Sequence, residues 1–305
     1  TYAMDDTDAG STSLGSTDNI FMGYDAGGGT WADAASSYNI GIGSMVMDSA
    51  LNGAIYNTAI GYAALSGITT ADNSVAIGTG ALQELTTGEG NVAIGRAAMN
   101  VHGTGGYNIA IGNFAMDDTN AGSTSAGSTH NIFIGNSAGG GTWANVASNY
   151  NVGIGNYSMD GALDGATENT ALGYETLSQI TTEDANVAIG YRAMSGGGGT
   201  QNIAIGADSM YQGPTGGTNY AIGRYSMMDC NAGSTSLSSH SNIAIGQSAL
   251  GGTWADADSN RNIAIGHYTM DAGVDGALDN VAVGHYALSS ITSGDYNTAL
   301  GSNAG

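Results

Sequence analysis

Asn57-Thr58-Ala59-Ile60-Gly61, Ser74-Val75-Ala76-Ile77-Gly78 and Asn91-Val92-Ala93-Ile94-Gly95 are three successive copies of one pentapeptide. Sixteen copies run along the 305 residues, ending at Gly23, Gly43, Gly61, Gly78, Gly95, Gly112, Gly135, Gly155, Gly173, Gly190, Gly206, Gly223, Gly246, Gly266, Gly284 and Gly301. Their spacings are 20, 18, 17, 17, 17, 23, then 20, 18, 17, 16, 17, 23, then 20, 18, 17. Self-similarity at such a period marks stacked repeats that bury a core only together. The spacings themselves recur, so six short units make a super-repeat: about 1–112, about 113–223, and an incomplete 224–305. Trp31, Trp143 and Trp254 fall at matching places, as do the segments beginning Met4-Asp5, Met116-Asp117 and Met228-Asp229. Thr1 corresponds to Asn113 and Arg224, and Gly305 stops inside a unit. Residues 1–305 therefore read as a single repetitive solenoid, cut from a longer array.

Each motif position suggests a role. Strand side chains alternate between faces, so the second and fourth positions share one face and the third lies on the other. β-Branched residues at the second position (Ile20, Val92, Ile109, Val187, Ile263) favour a strand over a helix. Ile and Val are expected to line the coil interior. The Ala column (Ala59, Ala76, Ala93, Ala110, Ala171, Ala188, Ala204) is then an outward apolar stripe, fitted to a second chain. After the Gly, pairs such as Ala64-Leu65, Ala98-Met99 and Ser226-Met227 suggest a short second strand beyond a glycine corner. The recurrent Asn, including Asn19, Asn57, Asn91, Asn108 and Asn169, can donate and accept along a stack with a rise of about 4.8 Å. The glycines, including Gly61, Gly95, Gly112 and Gly173, supply positive φ or close approach at the corner. Both are structural residues on this reading. The fold class expected is all-β, a parallel β-solenoid of about sixteen coils.

Composition narrows the partners. The formal charge is −22, with no Lys and only Arg96, Arg192, Arg224 and Arg261 as fixed cations. Nucleic acid is an unsuitable ligand, because phosphate must be met by clustered Lys and Arg. No apolar run approaches the ~20 residues of a membrane-spanning helix, so no membrane insertion is expected within this segment. Cys230 is the single cysteine, which rules out an intrachain disulfide.

Ser74-Val75-Ala76-Ile77-Gly78 and Asn91-Val92-Ala93-Ile94-Gly95, each followed by a small residue three places on, resemble the head repeats of YadA-like trimeric autotransporter adhesins. Asn57-Thr58-Ala59-Ile60-Gly61-Tyr62-Ala63-Ala64-Leu65 is similar to repeats in phage tail-fibre-like proteins. The likeness covers nearly the whole chain. It implies a left-handed parallel β-roll and a parallel homotrimer. The units here are longer than the usual head coil, and no stalk or anchor segment is present.

Candidate chemistry is sparse. Asp5, Asp6, Asp8, Asp117 and Asp118 concentrate the oxygen ligands that Ca²⁺ takes, although no EF-hand spacing accompanies them. Calcium is thus the one cofactor to consider. Trp31, Trp143 and Trp254 follow Gly-Thr in similar loops and are candidates for stacking on a glycan, or else for folding their own loops down. His267 and His285 each follow a motif Gly in consecutive units and read as members of a varied solvent ladder rather than a metal pair. Gly196 to Gly199 is not a phosphate loop, since no Lys follows. No enzyme is expected. The expected role is an extracellular fibre, on a cell surface or virion, whose loops contact a receptor or glycan. An inert sheath or matrix filament is the alternative, and an ice- or carbohydrate-binding solenoid ranks last.

Overall fold

The computed structural model describes residues 15–31, 34–119, 127–230, 238–254 and 257–305. The chain divides into two compact units, one of residues 1–156 with 161–165, the other of 157–160 with 166–305. Each is a parallel β-solenoid, and no α-helix occurs among the described residues.

The first unit carries β1 (Ile20–Met22), β2 (Ile40–Ile42), β3 (Thr58–Ile60), β4 (Val75–Ile77), β5 (Val92–Ile94), β6 (Ile109–Ile111), β7 (Ile132–Ile134) and β8 (Val152–Ile154). The second carries β9 (Thr170–Leu172), β10 (Val187–Ile189), β11 (Ile203–Ile205), β12 (Tyr220–Ile222), β13 (Ile243–Ile245), β14 (Ile263–Ile265), β15 (Val281–Val283) and β16 (Thr298–Leu300). Every strand is the middle of one pentapeptide. Within each unit the strands pair in sequence order, parallel and in register, so that Val75 lies beside Val92 and Ala76 beside Ala93. Identical motifs give identical registers, and loop length leaves the pairing unchanged.

The two strand faces are the reverse of the expectation. The third-position side chains point inward: Ala59, Ala76, Ala93, Ala110, Ala171, Ala188 and Ala204 are all fully buried. The second and fourth positions point outward, as the Ile–Ala–Ile pattern of β13 and β14, buried only at its middle residue, illustrates. The cause is the width of the coil. The coils of Ala59, Ala76, Ala93 and Ala110 carry, four places after the motif Gly, Leu65, Leu82, Met99 and Met116, all fully buried. A long side chain on one wall leaves room for only a methyl on the other. Ala93 and Ala188 thus belong to the core, and the stripe taken to face a second chain is interior.

No second strand follows the Gly either. That segment is a turn in which the second and fourth residues both have positive φ, for example Ala63 at 54° and Leu65 at 52°. Left-handed backbone costs an ordinary residue roughly 1–2 kcal/mol. It is offset because the turn bonds to the neighbouring coils: Leu65 N–H donates to Ala81 O at 3.0 Å, and Ala63 N–H to Ser44 O at 3.0 Å. None of the residues two or four places after a motif Gly is β-branched, which agrees with their φ. The motif Gly itself has φ of 137° at Gly95, and a Cβ there would collide with the Gly112 carbonyl one coil on.

The recurrent Asn forms an interior amide ladder. In the first unit Asn39, Asn57, Asn91, Asn108 and Asn131 are fully buried. Asn108 Nδ2 donates to Asn91 Oδ1 at 3.2 Å and to Ser128 O at 2.9 Å, while Asn108 N–H donates to the same Asn91 Oδ1 at 3.0 Å. The second unit repeats the arrangement from Asn169 through Asn186, where Asn186 N–H and Nδ2 both meet Asn169 Oδ1, at 2.9 and 3.1 Å. Asn19 begins the ladder among the described residues, with Nδ2 on Ser36 O at 2.8 Å. Where the motif begins with a buried Asn such as Asn108 or Asn131, one side chain satisfies a buried backbone N–H and a buried loop carbonyl.

Candidate functional site: the outward strand face and its rims

In each unit the second and fourth strand positions form two parallel columns of aliphatic side chains on the outside of the sheet. Ile77 is 37% exposed and Ile94 36%, although each has a coil stacked on either side. Single exposed hydrophobes are normal on proteins, but a contiguous column of them is not. The columns accept Thr58, Thr170 and Tyr220 among the Ile and Val, whereas the inward position holds only Ala, Gly and Phe. That difference in tolerance was the signal in the sequence for which face is wet.

Aromatic and charged side chains border the columns. Just before the ladder Asn, Tyr38 stacks on Tyr56 at 5.0 Å, and His130 is sandwiched between Tyr107 and Tyr150 at 5.2 Å on each side. Just after the motif Gly, Tyr174 stacks on Tyr191 at 5.6 Å in the second unit, and one place further Tyr268 stacks on Tyr286 at 5.2 Å. Coil stacking places like residues face to face, so each ring presents an edge, and for Tyr a hydroxyl, to solvent. The Tyr107 hydroxyl donates to Glu89, which raises the Tyr107 pKa.

The four arginines are held in the same way. Arg192 lies 3.8 Å from both Glu175 and Asp208, its neighbours one coil before and one coil after, with its guanidinium 4.0 Å from the Tyr211 ring centre. Arg261 makes a two-pronged contact with Asp279 at 2.7 and 2.8 Å, which holds the Asp279 carboxyl below its ordinary range. Arg96 sits 5.0 Å over Phe114, and Arg224 4.3 Å over Tyr225.

The three Trp rings lie inside. Trp31 is 1% exposed and Trp143 and Trp254 are fully buried. Each indole N–H donates to the carbonyl four residues earlier: Gly27 at 3.1 Å, Gly139 at 3.0 Å and Leu250 at 3.3 Å. Stacking on a glycan is corrected accordingly, because no ring face reaches the surface and the rings close their own loops.

Of the candidate calcium ligands, Asp5, Asp6 and Asp8 lie outside the described residues. Asp117 and Asp118 are half-buried neighbours. Burial, and next the charge of Asp118, push the Asp117 carboxyl up to about 6, and its Oδ1 is buried without a hydrogen-bond partner. Among the described residues no three His, Cys, Asp or Glu side chains converge as a metal set. The third copy is registered one place differently from the sequence reading: parallel bridges put Asp118 beside Val101 and Asp229 beside Gln212. Trp143 N–H donates to Asp118 O and Trp254 N–H to Asp229 O, so Asp229 stands where Asp118 does, and Cys230, not Asn231, stands where Thr119 does.

His267 and His285 are exposed on consecutive coils. His102 is a residue the motif reading passed over. It is fully buried, with Nδ1 2.6 Å from Thr119 Oγ1 and Nε2 3.0 Å from Gly105 O. Burial depresses its pKa to about 4, so it is a neutral structural crosslink between coils. No helix among the described residues is long and apolar enough to cross a membrane. Comparison with known protein families, with curated proteins and with solved structures returned no match.

Proposed function

We propose that the chain forms an extracellular structural fibre, of the adhesin or tail-fibre type, that assembles in parallel as a homotrimer. The outward aliphatic columns are the observation that carries this reading. Sheet faces that stay in water are normally polar, and a repeated apolar face rimmed by Tyr marks an association surface. Copies of one chain suit it best, because parallel in-register coils present the same column at the same height on each partner. The variable loops then remain outside to make contacts with a receptor or glycan, and the role requires no catalysis. Calcium, if it takes part, would act at Asp117 and Asp118 by relieving their mutual repulsion.

The test is the mass of the particle in solution. Light scattering on the purified chain is expected to give three copies. Ile77→Glu and Ile189→Glu, which place charge on the outward face, are expected to yield folded monomers. A wild-type monomer unaffected by either substitution removes the assembly and with it the fibre. An inert sheath or matrix filament is the second reading. It is favoured by the burial of Trp31, Trp143 and Trp254, which takes the largest rings away from the loop surface. Binding to glycan arrays or to cells separates the two readings.

A further inference from the structure

Asn52-Gly53 is the only place in the chain where Gly follows Asn. The pair sits in a loop of the first unit, with Asn52 exposed. Three hydrogen bonds hold it. Asn52 N–H donates to Thr69 O at 2.8 Å. Asn52 Oδ1 accepts from Ala34 N–H at 3.1 Å, and Gly53 N–H donates to the buried Ser36 hydroxyl at 3.0 Å.

The same wiring recurs twice, with one change. In the second super-repeat Asp164 Oδ1 accepts from Val146 N–H at 2.8 Å, and Gly165 N–H donates to Ser148 Oγ at 3.0 Å. In the third, Asp275 Oδ1 accepts from Ala257 N–H at 2.7 Å, and Gly276 N–H donates to Ser259 Oγ at 3.0 Å. The glycines match in backbone as well, at φ of 89°, 94° and 78°. Asparagine thus occupies one copy of a position that carries aspartate in the other two. The carboxylate bonds are shorter than the amide bond, as charge-assisted bonds are.

We propose that Asn52 is a site of spontaneous deamidation, gated by Ser36, whose aspartate product the coil is already built to hold. The amide nitrogen of Gly53 attacks Cγ of Asn52, and the side-chain nitrogen leaves as ammonia. The resulting succinimide adds one water and opens to aspartate or to its β-linked isomer. The only co-reactant is water. Glycine at the next position favours ring closure because no Cβ obstructs the approach and the backbone is free to turn. Every other Asn in the chain is followed by a residue with a side chain. In the folded coil the attacking N–H is engaged by Ser36 and the amide oxygen by Ala34, so closure waits for the loop to open. Once formed, the aspartate makes a stronger bond to Ala34 N–H than the amide did. Because ammonia is lost, the conversion runs one way, adding one negative charge to the loop surface of each chain with age.

The experiment is peptide mapping of the full chain aged at mildly alkaline pH and physiological temperature. The peptide carrying Asn52 is expected to gain the mass of an amide-to-acid conversion several-fold faster than any other asparagine peptide. Ser36→Ala is expected to speed this several-fold, and Asn52→Asp to show no gain and to melt no lower than the parent. The proposal is overturned if Asn52 stays intact in the aged chain while the urea-unfolded chain converts. It is equally overturned if Asn52 converts no faster than other asparagines, or if Ser36→Ala converts at the parent rate. Should Ser36→Ala fail to fold, the Asn52→Asp melt still decides, because a clear loss of stability there shows that the product does not fit.

Discussion

Phe133 and Ala244 occupy the same inward strand position in successive super-repeats, one in each unit, and the coils around them are built differently. Around Phe133, the residue four places after the motif Gly is Gly139, and a Cβ on it would come 2.8 Å from the ring. Trp143 meets the Phe133 ring edge-on at 5.9 Å. Around Ala244, the corresponding residue is the fully buried Leu250, and Trp254 closes the loop without an aromatic partner on the strand. The first super-repeat follows the Phe solution, with Phe21, Gly27 and Trp31, and with Gly41 on the next strand where a Cβ would come 2.6 Å from the ring. The cross-section of a coil has one volume. Strand and turn divide it as methyl plus long aliphatic chain, or as ring plus nothing.

Breaking that division is expected to give the largest effect. Gly139→Leu with Phe133 retained adds a side chain where the ring already is and places it at φ of 61°. Overpacking and left-handed strain together are expected to cost about 3–5 kcal/mol. Phe133→Ala alone leaves a cavity and is expected to cost about 3–5 kcal/mol. The double variant rebuilds the Ala244–Leu250 arrangement and is expected to recover most of either loss, a coupling that denaturant melts measure directly. Strict additivity of the two single changes would show that the volumes are not shared.

The amide ladder offers a second contrast, between Asn131 and the one copy in which the motif begins with Ser. Asn131 Nδ2 reaches Asn108 Oδ1 at 3.1 Å and Ser148 O at 2.8 Å. Ser74 accepts the Asn91 N–H at a long 3.3 Å, and its own hydroxyl turns back to Asp72 O. Asn131→Ala orphans buried groups in adjacent coils and is expected to cost about 3 kcal/mol. Ser74→Asn restores the ladder and is expected to stabilise by about 1 kcal/mol. Equal and negligible shifts in the two melts would mean that water serves the ladder as well as the amides do.

These contrasts also show what was legible in the residues. The pentapeptide spacing specified a parallel solenoid because Asn and Gly stand at points where backbone from the next coil must approach. The faces were misread because period-two alternation separates two sets of side chains without saying which set is inside. The usual rule puts Ile and Val within, and the narrow coil overrides it with Ala76 and Ala93. The apolar pair Ala64-Leu65 predicts a strand where the structure has a turn. Its persistent choice of Met or Leu over Ile or Val was the available clue to positive φ. The loop alone left Trp143 open between stacking on a glycan and folding its own loop down, since the choice depends on Phe133, ten residues earlier in the chain, and on a carbonyl at Gly139.

Acid titration compares a buried and a half-buried group in the first unit that respond with opposite sign. His102, held neutral with a pKa of about 4 against an ordinary 6.5, contributes stability that is complete above pH 6.5 and is lost as pH falls toward 4. At full burial that loss is at most about 3 kcal/mol. Asp117 has its carboxyl raised to about 6 from 3.8, so its ionised form strains the fold at neutral pH and the strain is relieved as pH falls from above 6 toward 3.8. Asp117→Asn is expected to abolish that acid gain and leave a steeper fall in melting temperature on acidification. His102→Gln is expected to flatten the fall. Parallel pH profiles for the two variants would contradict these assignments.

The smallest effect expected separates two serines that share a place in the coil, three residues after a motif Gly, both in the second unit. Ser226 Oγ donates to Ala244 O at 3.0 Å, whereas Ser158 Oγ is buried without a hydrogen-bond partner. Most coils hold Ala there, including Ala64, Ala81 and Ala98, so a methyl fits the space. A hydroxyl taken out of water and left unbonded forfeits its solvation, while one that finds a carbonyl gets most of it back. Ser226→Ala is therefore expected to cost about 1 kcal/mol, and Ser158→Ala to stabilise by about the same amount. The two substitutions are chemically identical and differ only in the neighbouring coil, so the sign of the difference in their melting temperatures tests whether coil-to-coil hydrogen bonding decides the tolerance of polar residues in this core. A loss on Ser158→Ala matching that of Ser226→Ala would show that the Ser158 hydroxyl has a partner, such as an ordered water, and that the interior of this coil is not dry.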